Sequence, residues 1–314
     1  MPIVGFGIWK VPRENTAQAV YDAIKLGYRH IDGAYDYTNS KEAGEGVQRA
    51  IADGLVKRED LFVTSKLWNN YHKRQHAIEM AKNEVDTWGI GYLDLYLIHF
   101  PISLAYIPPS DIKWPCFWSD TEQKNVTTID PTPISETWGA LESLVKTESN
   151  ASGILRSIGV ANFSSQLLYD LLSYAKIKPA VLQVEHHPYL VQPGLIKAAQ
   201  AAGVAVTAYS SFGPQSFIEL GNATAKDTQP LFSNQVVVDI AQRHSKTPAQ
   251  VLLRWATQRN VIVIPKSNSQ QRLEENLDNC SFDLEQEELD AISGLDKGLR
   301  FNNPAGLDSQ HIFD

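Results

Sequence analysis

Apolar and polar positions along the chain switch repeatedly between two periods. Short runs rich in β-branched, aromatic and leucine residues occupy 4–8, 29–34, 61–67, 93–100, 155–161, 180–186, 205–211 and 261–267. Most are nearly continuous in apolar character, which is the pattern of strands buried on both faces. Between them the spacing turns helical, over 16–27, 41–54, 76–89, 135–146, 164–175, 194–203, 234–245 and 247–260, with 272–280 after the last run. Gly27, Gly54, Gly89 and Gly203 close four of these stretches, where left-handed backbone ends a helix. Alternating strands and helices predict a parallel sheet with right-handed crossovers. Eight strands predict an α/β fold of the closed (β/α)8 TIM-barrel type and not an open doubly wound sheet. No low-complexity linker interrupts the pattern, so residues 1–314 are expected to form one barrel domain.

Two stretches break the rhythm. Residues 102–134 form a long connection after the fourth run, and 298–314 form a C-terminal tail without helical period. Long ordered connections commonly serve as lids, so both are expected over the face where barrel strands end.

Composition narrows the function classes. A hydrophobic content of 43% supplies a core, and a net charge of −8 leaves no basic surface for nucleic acid or anionic membrane. No apolar run reaches the ~18 residues of a membrane span. Cys116 and Cys280 are isolated, and with no secretory signal they read as reduced thiols of a cytoplasmic protein. The glycosylation triplets at Asn125 and Asn222 then read as chance matches. His186 and His187 are adjacent but lack metal-ligand spacing, so no metal is expected.

The candidate chemistry lies at the ends of three successive apolar runs. Asp32 and Tyr37 fall in HIDGAYDY, Lys66 in LFVTSKLW and His99 in LDLYLIHF. In a parallel barrel such strand ends converge on one face. A lone tyrosine or histidine there would read as packing. An aspartate and a lysine both ending apolar strands do not, because buried charges are rare unless paired. A phenol is a reluctant acid at its ordinary pKa of about 10. A neighbouring Lys66 ammonium is expected to lower that value, with Asp32 holding Lys66 in place. His99 would orient a carbonyl oxygen. No GxGxxG is present, so a Rossmann site is not indicated. IPKSNSQQR instead places Lys266, Ser267 and Asn268 at the end of the last run and Arg272 in the next helix, which suits an anion.

The ordered words GFGIWK (5–10), DGAYDY (32–37), SKLWNNYH (65–72), LIHFP (97–101), LQVEHHPYL (182–190), AYSSFGPQSF (208–217), IPKSN (264–268) with Arg272, and RFNNP (300–304) resemble the aldo-keto reductases. Within that family the chain is most similar to fungal D-xylose reductases. The resemblance implies reduction of open-chain aldoses to alditols, with D-xylose to xylitol as the leading reaction and Tyr37 as general acid. A broader aldehyde, L-arabinose or glycerol-type reductase is the alternative, followed by a non-catalytic NADPH-binding regulatory subunit. The implied cofactor is NADPH, with NADH also compatible. Lys266, Ser267, Asn268 and Arg272 would hold its 2′-phosphate and Asn276 its adenine. Tyr209 would stack on nicotinamide, Asn162 and Gln183 would contact the carboxamide, and Ser210 would begin the pyrophosphate loop. Trp9, Asp36, Phe100, Phe212 and Asn302 match positions that shape the aldose pocket. A homodimer is compatible with the resemblance.

The chain departs from the family in four places. It reads Ala161-Asn162-Phe163 where the family commonly has Ser-Asn-Phe, and Thr38-Asn39-Ser40 where Gly-Asn-Glu is common. It begins at Met1-Pro2 without the hairpin that usually plugs the barrel floor. Extra residues around Glu148–Ser152 stand where the family has a tight helix-to-strand joint. The last two bear on stability and not on chemistry, because they belong to the N-terminal face of the strands.

Overall fold

A computed structural model describes residues 1–110, 127–304 and 312–313. Eight strands appear at the eight apolar runs: β1 (Phe6–Gly7), β2 (His30–Asp32), β3 (Phe62–Leu67), β4 (Leu95–Ile98), β5 (Ile158–Ala161), β6 (Val181–Glu185), β7 (Ala205–Tyr209) and β8 (Val261–Val263). All pair in parallel in chain order. The ring closes through Gly5, whose N–H reaches Val263 O at 2.8 Å, and Val263, whose N–H reaches Ile3 O at 2.9 Å. The architecture is therefore the (β/α)8 barrel. Most strands are shorter than the apolar runs that announced them. The surplus residues, among them His99, Phe100 and Lys266, lie just past the ladders and line the mouth.

Six helices follow the first six strands: α1 (Arg13–Leu26), α2 (Ser40–Ala52), α3 (Arg74–Trp88), α4 (Ile134–Glu142), α5 (Ser165–Tyr174) and α6 (Pro193–Ala201). Two short helices, α7 (Gln215–Ile218) and α8 (Ala223–Asp227), come after β7 and precede α9 (Gln235–His244) and α10 (Pro248–Thr257). Helices α11 (Gln270–Leu277) and α12 (Gln286–Ser293) follow β8. Gly27 ends α1 with φ 113°, as its position predicted. The sequence pattern did not announce α12. It buries only Glu288 and Ile292, and a capping box between Glu285 and Glu288 sets its start.

Alternate residues of each strand point into the barrel. Leu95, Leu97, Ala161 and Val181 form a small interior cluster with Phe62 against it, separate from the larger core between sheet and helices. Beside this cluster the lumen is polar: His30, Asp32, Thr64, Lys66, Gln183 and Thr207 are all buried. Gln183 Nε2 donates to Asp32 Oδ2 at 2.8 Å. With β6 and β2 four strands apart in a ring of eight, that bond crosses the lumen. Room is made by Gly5, where a Cβ would stand 2.4 Å from His30 Nδ1.

The long connection is on the expected face where it is described. Ala105 N–H reaches Thr128 O at 2.8 Å and Asp130 N–H reaches Ser103 O at 2.9 Å, while Leu104 N–H ties it to Asn69 O at 2.9 Å beyond β3. Residues 111–126, with Cys116, and 305–311 of the tail lie outside the described residues.

The extra residues between α4 and β5 fold on themselves. Asn150 Nδ2 donates to Ser143 O at 3.1 Å and Val145 O at 3.0 Å, where α4 runs out, and its N–H meets Thr147 Oγ1 at 3.1 Å. Asn150→Ala should therefore cost about 1–2 kcal/mol, since it leaves two carbonyls without protein partners. A calorimetric midpoint lowered by about 2–6 °C, with turnover unchanged, is the expected outcome. A loss of turnover would mean that this joint communicates with the opposite face.

Candidate active site

The four residues read from the strand ends converge. Lys66, on β3, is fully buried, and its Nζ donates to Asp32 Oδ1 at 2.7 Å, to Gly33 O at 2.8 Å and to Tyr37 Oη at 3.1 Å. An ammonium has three N–H donors, and all three are engaged. Tyr37 Oη thus accepts from Lys66, and its own proton is free to point toward the pocket. Tyr37 sits in a short 3-10 turn, Tyr35–Tyr37, that follows β2. Thr38 ends that turn at φ 59°, so this chain meets the local left-handed requirement without the family's glycine.

The expected lowering of the Tyr37 pKa is corrected by the structure. The phenol is pushed well above its ordinary value, first by burial and then by Asp32, Asp36 and Tyr209. Asp32, 2.7 Å from Lys66, offsets part of the ammonium's charge, so burial outweighs the field that Lys66 offers a phenolate. The phenol is held protonated, which is the state a proton donor must start from.

His99 lies just beyond β4, stacked on Phe100 with ring centres 5.0 Å apart and edge-on to Trp68 at 5.3 Å. Its Nδ1 stands 3.2 Å from Asp36 Oδ1, close but not aligned as a hydrogen bond. Asp36 was expected to face a sugar. It is 7% exposed and its carboxylate neighbours the imidazole. Phe100 is buried beside His99. Trp9 is half-buried at 5.7 Å from Phe217, and Phe212 is half-buried at 5.1 Å from Phe232, so these two line the rim.

On the other side of the pocket Asn162, at φ 62°, donates through Nδ2 to His99 O at 2.8 Å and accepts at Oδ1 from Tyr209 Oη at 2.7 Å. Tyr209 Oη also accepts from Asn302 Nδ2 at 3.0 Å. Gln183 is turned to Asp32, as described above. Ala161 is buried and brings no hydroxyl. Ser210, at φ 54°, opens the turn after β7. Lys266 is half-buried past β8, and Arg272 is exposed on α11, whose Asn276 is buried. Ser267 Oγ accepts the Ser269 N–H at 3.1 Å, and Asn268 is exposed. Neither Lys266 nor Arg272 makes an ion pair among the described residues, so two cations are available to a phosphate.

Three contributors were not found from sequence. Lys10 bonds Glu219 and Ser216 O and lies over Trp9 at 4.6 Å, joining the loop after β1 to the segment after β7 near Lys266. Glu84 on α3 accepts from Ser40 and Ser65 at 2.6 Å each and from Trp88 Nε1 at 3.0 Å, bracing the elements that carry Tyr37 and Lys66. Burial pushes its pKa up. Glu185 ends β6 fully buried, with its carboxylate on the C-terminal tail. An acid ending an apolar strand was the available signal for Glu185, the same one that found Asp32. No group of three or more metal-ligating side chains occurs among the described residues.

The geometry has close relatives. The chain is 67% identical to an NAD(P)H-dependent pentose reductase of Pyricularia oryzae, over 100% of this chain and 96% of that protein. It is 56% identical to a probable NAD(P)H-dependent D-xylose reductase of Emericella nidulans, over 97% and 93% of the two chains. Among solved structures it is similar to an aldo-keto reductase of Bombyx mori in complex with NADP (TM-score 0.83, 33% identity, 100% and 95% covered). It is also similar to an aldose reductase of Schistosoma japonicum (TM-score 0.85, 34% identity, 100% and 94% covered). The sequence model of the Aldo/keto reductase family matches residues 4–297, and the chain belongs to that family.

Proposed function

We propose that this protein reduces open-chain pentoses to their alditols with NAD(P)H, D-xylose to xylitol being the leading reaction. One observation carries the mechanism: Lys66 uses all three N–H donors, the third on Tyr37 Oη, so the phenol proton is the one left for substrate. A nicotinamide held by Tyr209 and Asn162 would supply hydride to the carbonyl carbon. Tyr37 donates its proton to the oxygen that becomes the alcohol, and Lys66 stabilises the phenolate left behind. Asp32 holds Lys66 in place, with Gln183 holding the second carboxylate oxygen. His99 bonds the carbonyl oxygen through the ring nitrogen that does not face Asp36. Asn302 and Asp36 supply polar groups to sugar hydroxyls, and Trp9, Phe100 and Phe212 give the apolar wall. The names of the relatives support the pentose reading and the cofactor. Lys266 and Arg272 fit a 2′-phosphate, which favours NADPH.

No helix among the described residues is long and apolar enough to cross a membrane. The exposed Cys280 thiol is free, which suits a reducing compartment such as the cytoplasm.

Tyr37→Phe tests the acid. It should retain NADPH binding, followed by fluorescence, and lose about 10²–10⁴-fold in kcat with xylose. More than about a tenth of wild-type kcat would assign the proton to another group.

Neutralising Lys266 should raise KM for NADPH about ten- to a hundredfold more than KM for NADH, the range of a charge-assisted bond. Equal losses with the two cofactors would remove the phosphate assignment.

The raised Tyr37 pKa carries a pH dependence. A phenol donates only while protonated, so reduction is lost as pH rises through its pKa. Asp32→Asn removes the charge that offsets Lys66, and an uncompensated ammonium favours phenolate. The alkaline limb of kcat/KM should then move to lower pH than in the wild type. A limb unmoved or moved upward would show that Asp32 does not set the acidity of Tyr37.

A further inference from the structure

Glu185 is a buried carboxylate at the C-terminal end of a strand for which the mechanism has no use. It belongs to the EHH of LQVEHHPYL, where neither the carboxylate nor the histidines had a role. One carboxylate oxygen accepts the backbone N–H of Phe301 at 2.9 Å and His187 Nε2 at 2.9 Å, which places the imidazole proton on Nε2. The other accepts the backbone N–H of Asn302 at 2.9 Å. Two successive amides on the two oxygens of one rigid carboxylate fix the orientation of a peptide as well as its position.

The same stretch is held from its flanks. Leu299 N–H reaches Tyr189 O at 2.9 Å, and Arg300 reaches Gln192 Oε1 at 3.0 Å while Gln192 Nε2 donates to the backbone oxygen of Glu185 at 2.6 Å. Phe301 is buried at 5.3 Å from His187. Beyond the clamp, Asn302 Nδ2 reaches Tyr209 Oη at 3.0 Å, Tyr209 reaches Asn162 at 2.7 Å, and Asn162 reaches His99 O at 2.8 Å. Consecutive bonds therefore run from Glu185 through the tail to the residue beside Tyr37.

We propose that Glu185 is a positioning residue for substrate: by clamping the amides of 301 and 302 it sets Asn302 against Tyr209, so that the tail and the nicotinamide wall are registered as one unit. The proposal rests on the reading above, in which Asn302 and Tyr209 line the pocket. A glutamine has one acceptor oxygen, and its NH2 group would meet the second amide as donor against donor, so the register should be lost while the shape is kept.

The test is a double-mutant cycle with NADPH and two substrates, xylose and butanal. Glu185→Gln should raise KM for xylose about tenfold with kcat changed less than about threefold, and should lower kcat/KM for xylose about tenfold more than for butanal. On the Asn302→Ala background it should add less than about twofold for xylose, because its effect passes through Asn302. Additive losses, with Asn302→Ala still selective for xylose, would overturn the role of Glu185 and leave the pocket reading intact. Equal losses of xylose and butanal activity in Asn302→Ala would overturn the pocket reading itself, and the proposal with it. Hydrogen exchange of the wild-type enzyme tests the clamp without any variant. The amides of Phe301 and Asn302 should be strongly protected, and exchange at the rate of free peptide would overturn the proposal.

Discussion

The ion pair between Lys66 and Asp32 is the interaction on which the rest of this barrel depends. Placing two charges in a lumen is expensive unless every lone pair and proton is satisfied. Here both carboxylate oxygens are used, by Lys66 at 2.7 Å and Gln183 at 2.8 Å, and all three ammonium protons are used. Removing one partner of such a pair typically costs about 3–5 kcal/mol, because the other charge is stranded. The pair therefore forces β2, β3 and β6 into one register at the level where chemistry is needed. The apolar cluster of Leu95, Leu97, Ala161 and Val181 fills the lumen beside it, so the charges rest against packed side chains.

The same compensation decides how acidic the site is. A lysine beside a tyrosine suggests an acidified phenol, but only when its charge is not already matched. Asp32 lies closer to Lys66 than Tyr37 does, 2.7 Å against 3.1 Å. Burial then dominates and the phenol keeps its proton. In the proposed mechanism, what Lys66 adds is geometric and late: it orients the oxygen beforehand and meets the negative charge only after the proton has left. The free enzyme is thus poised with a full donor.

Most of the barrel was legible because its strands are buried on both faces, so the runs between 4 and 267 could not be anything amphipathic. The convergence of Asp32, Tyr37, Lys66 and His99 was legible for the complementary reason, that charges at the ends of such runs need partners. The lost information is of three kinds. Helix α12 offers the sequence little more than Leu289 and Ile292 as an apolar stripe, too little for a periodicity. The direction of the Tyr37 shift depended on a balance of distances that spacing does not encode. The partners of Glu185 are backbone amides 116 and 117 residues away, and backbone groups leave no residue-type signal.

Floor and rim of the site are built by different means, and this shapes what each can tolerate. Asp32, Lys66 and Gln183 come from strands whose positions are fixed by the ladder, so their geometry is shared by any substrate the barrel accepts. Trp9, Phe212 and Asn302 stand on connections or on the tail, half-buried and held by one or two neighbours. On the proposed reading, substrate choice can therefore change at the rim without disturbing proton transfer on the floor. Asp36 is the exception, since it lies one residue before the proposed acid, Tyr37, and 3.2 Å from the His99 imidazole. A carboxylate in that place couples what the rim reads to the group that orients the carbonyl, so recognition of a hydroxylated substrate and alignment of its reacting carbon are expected to vary together.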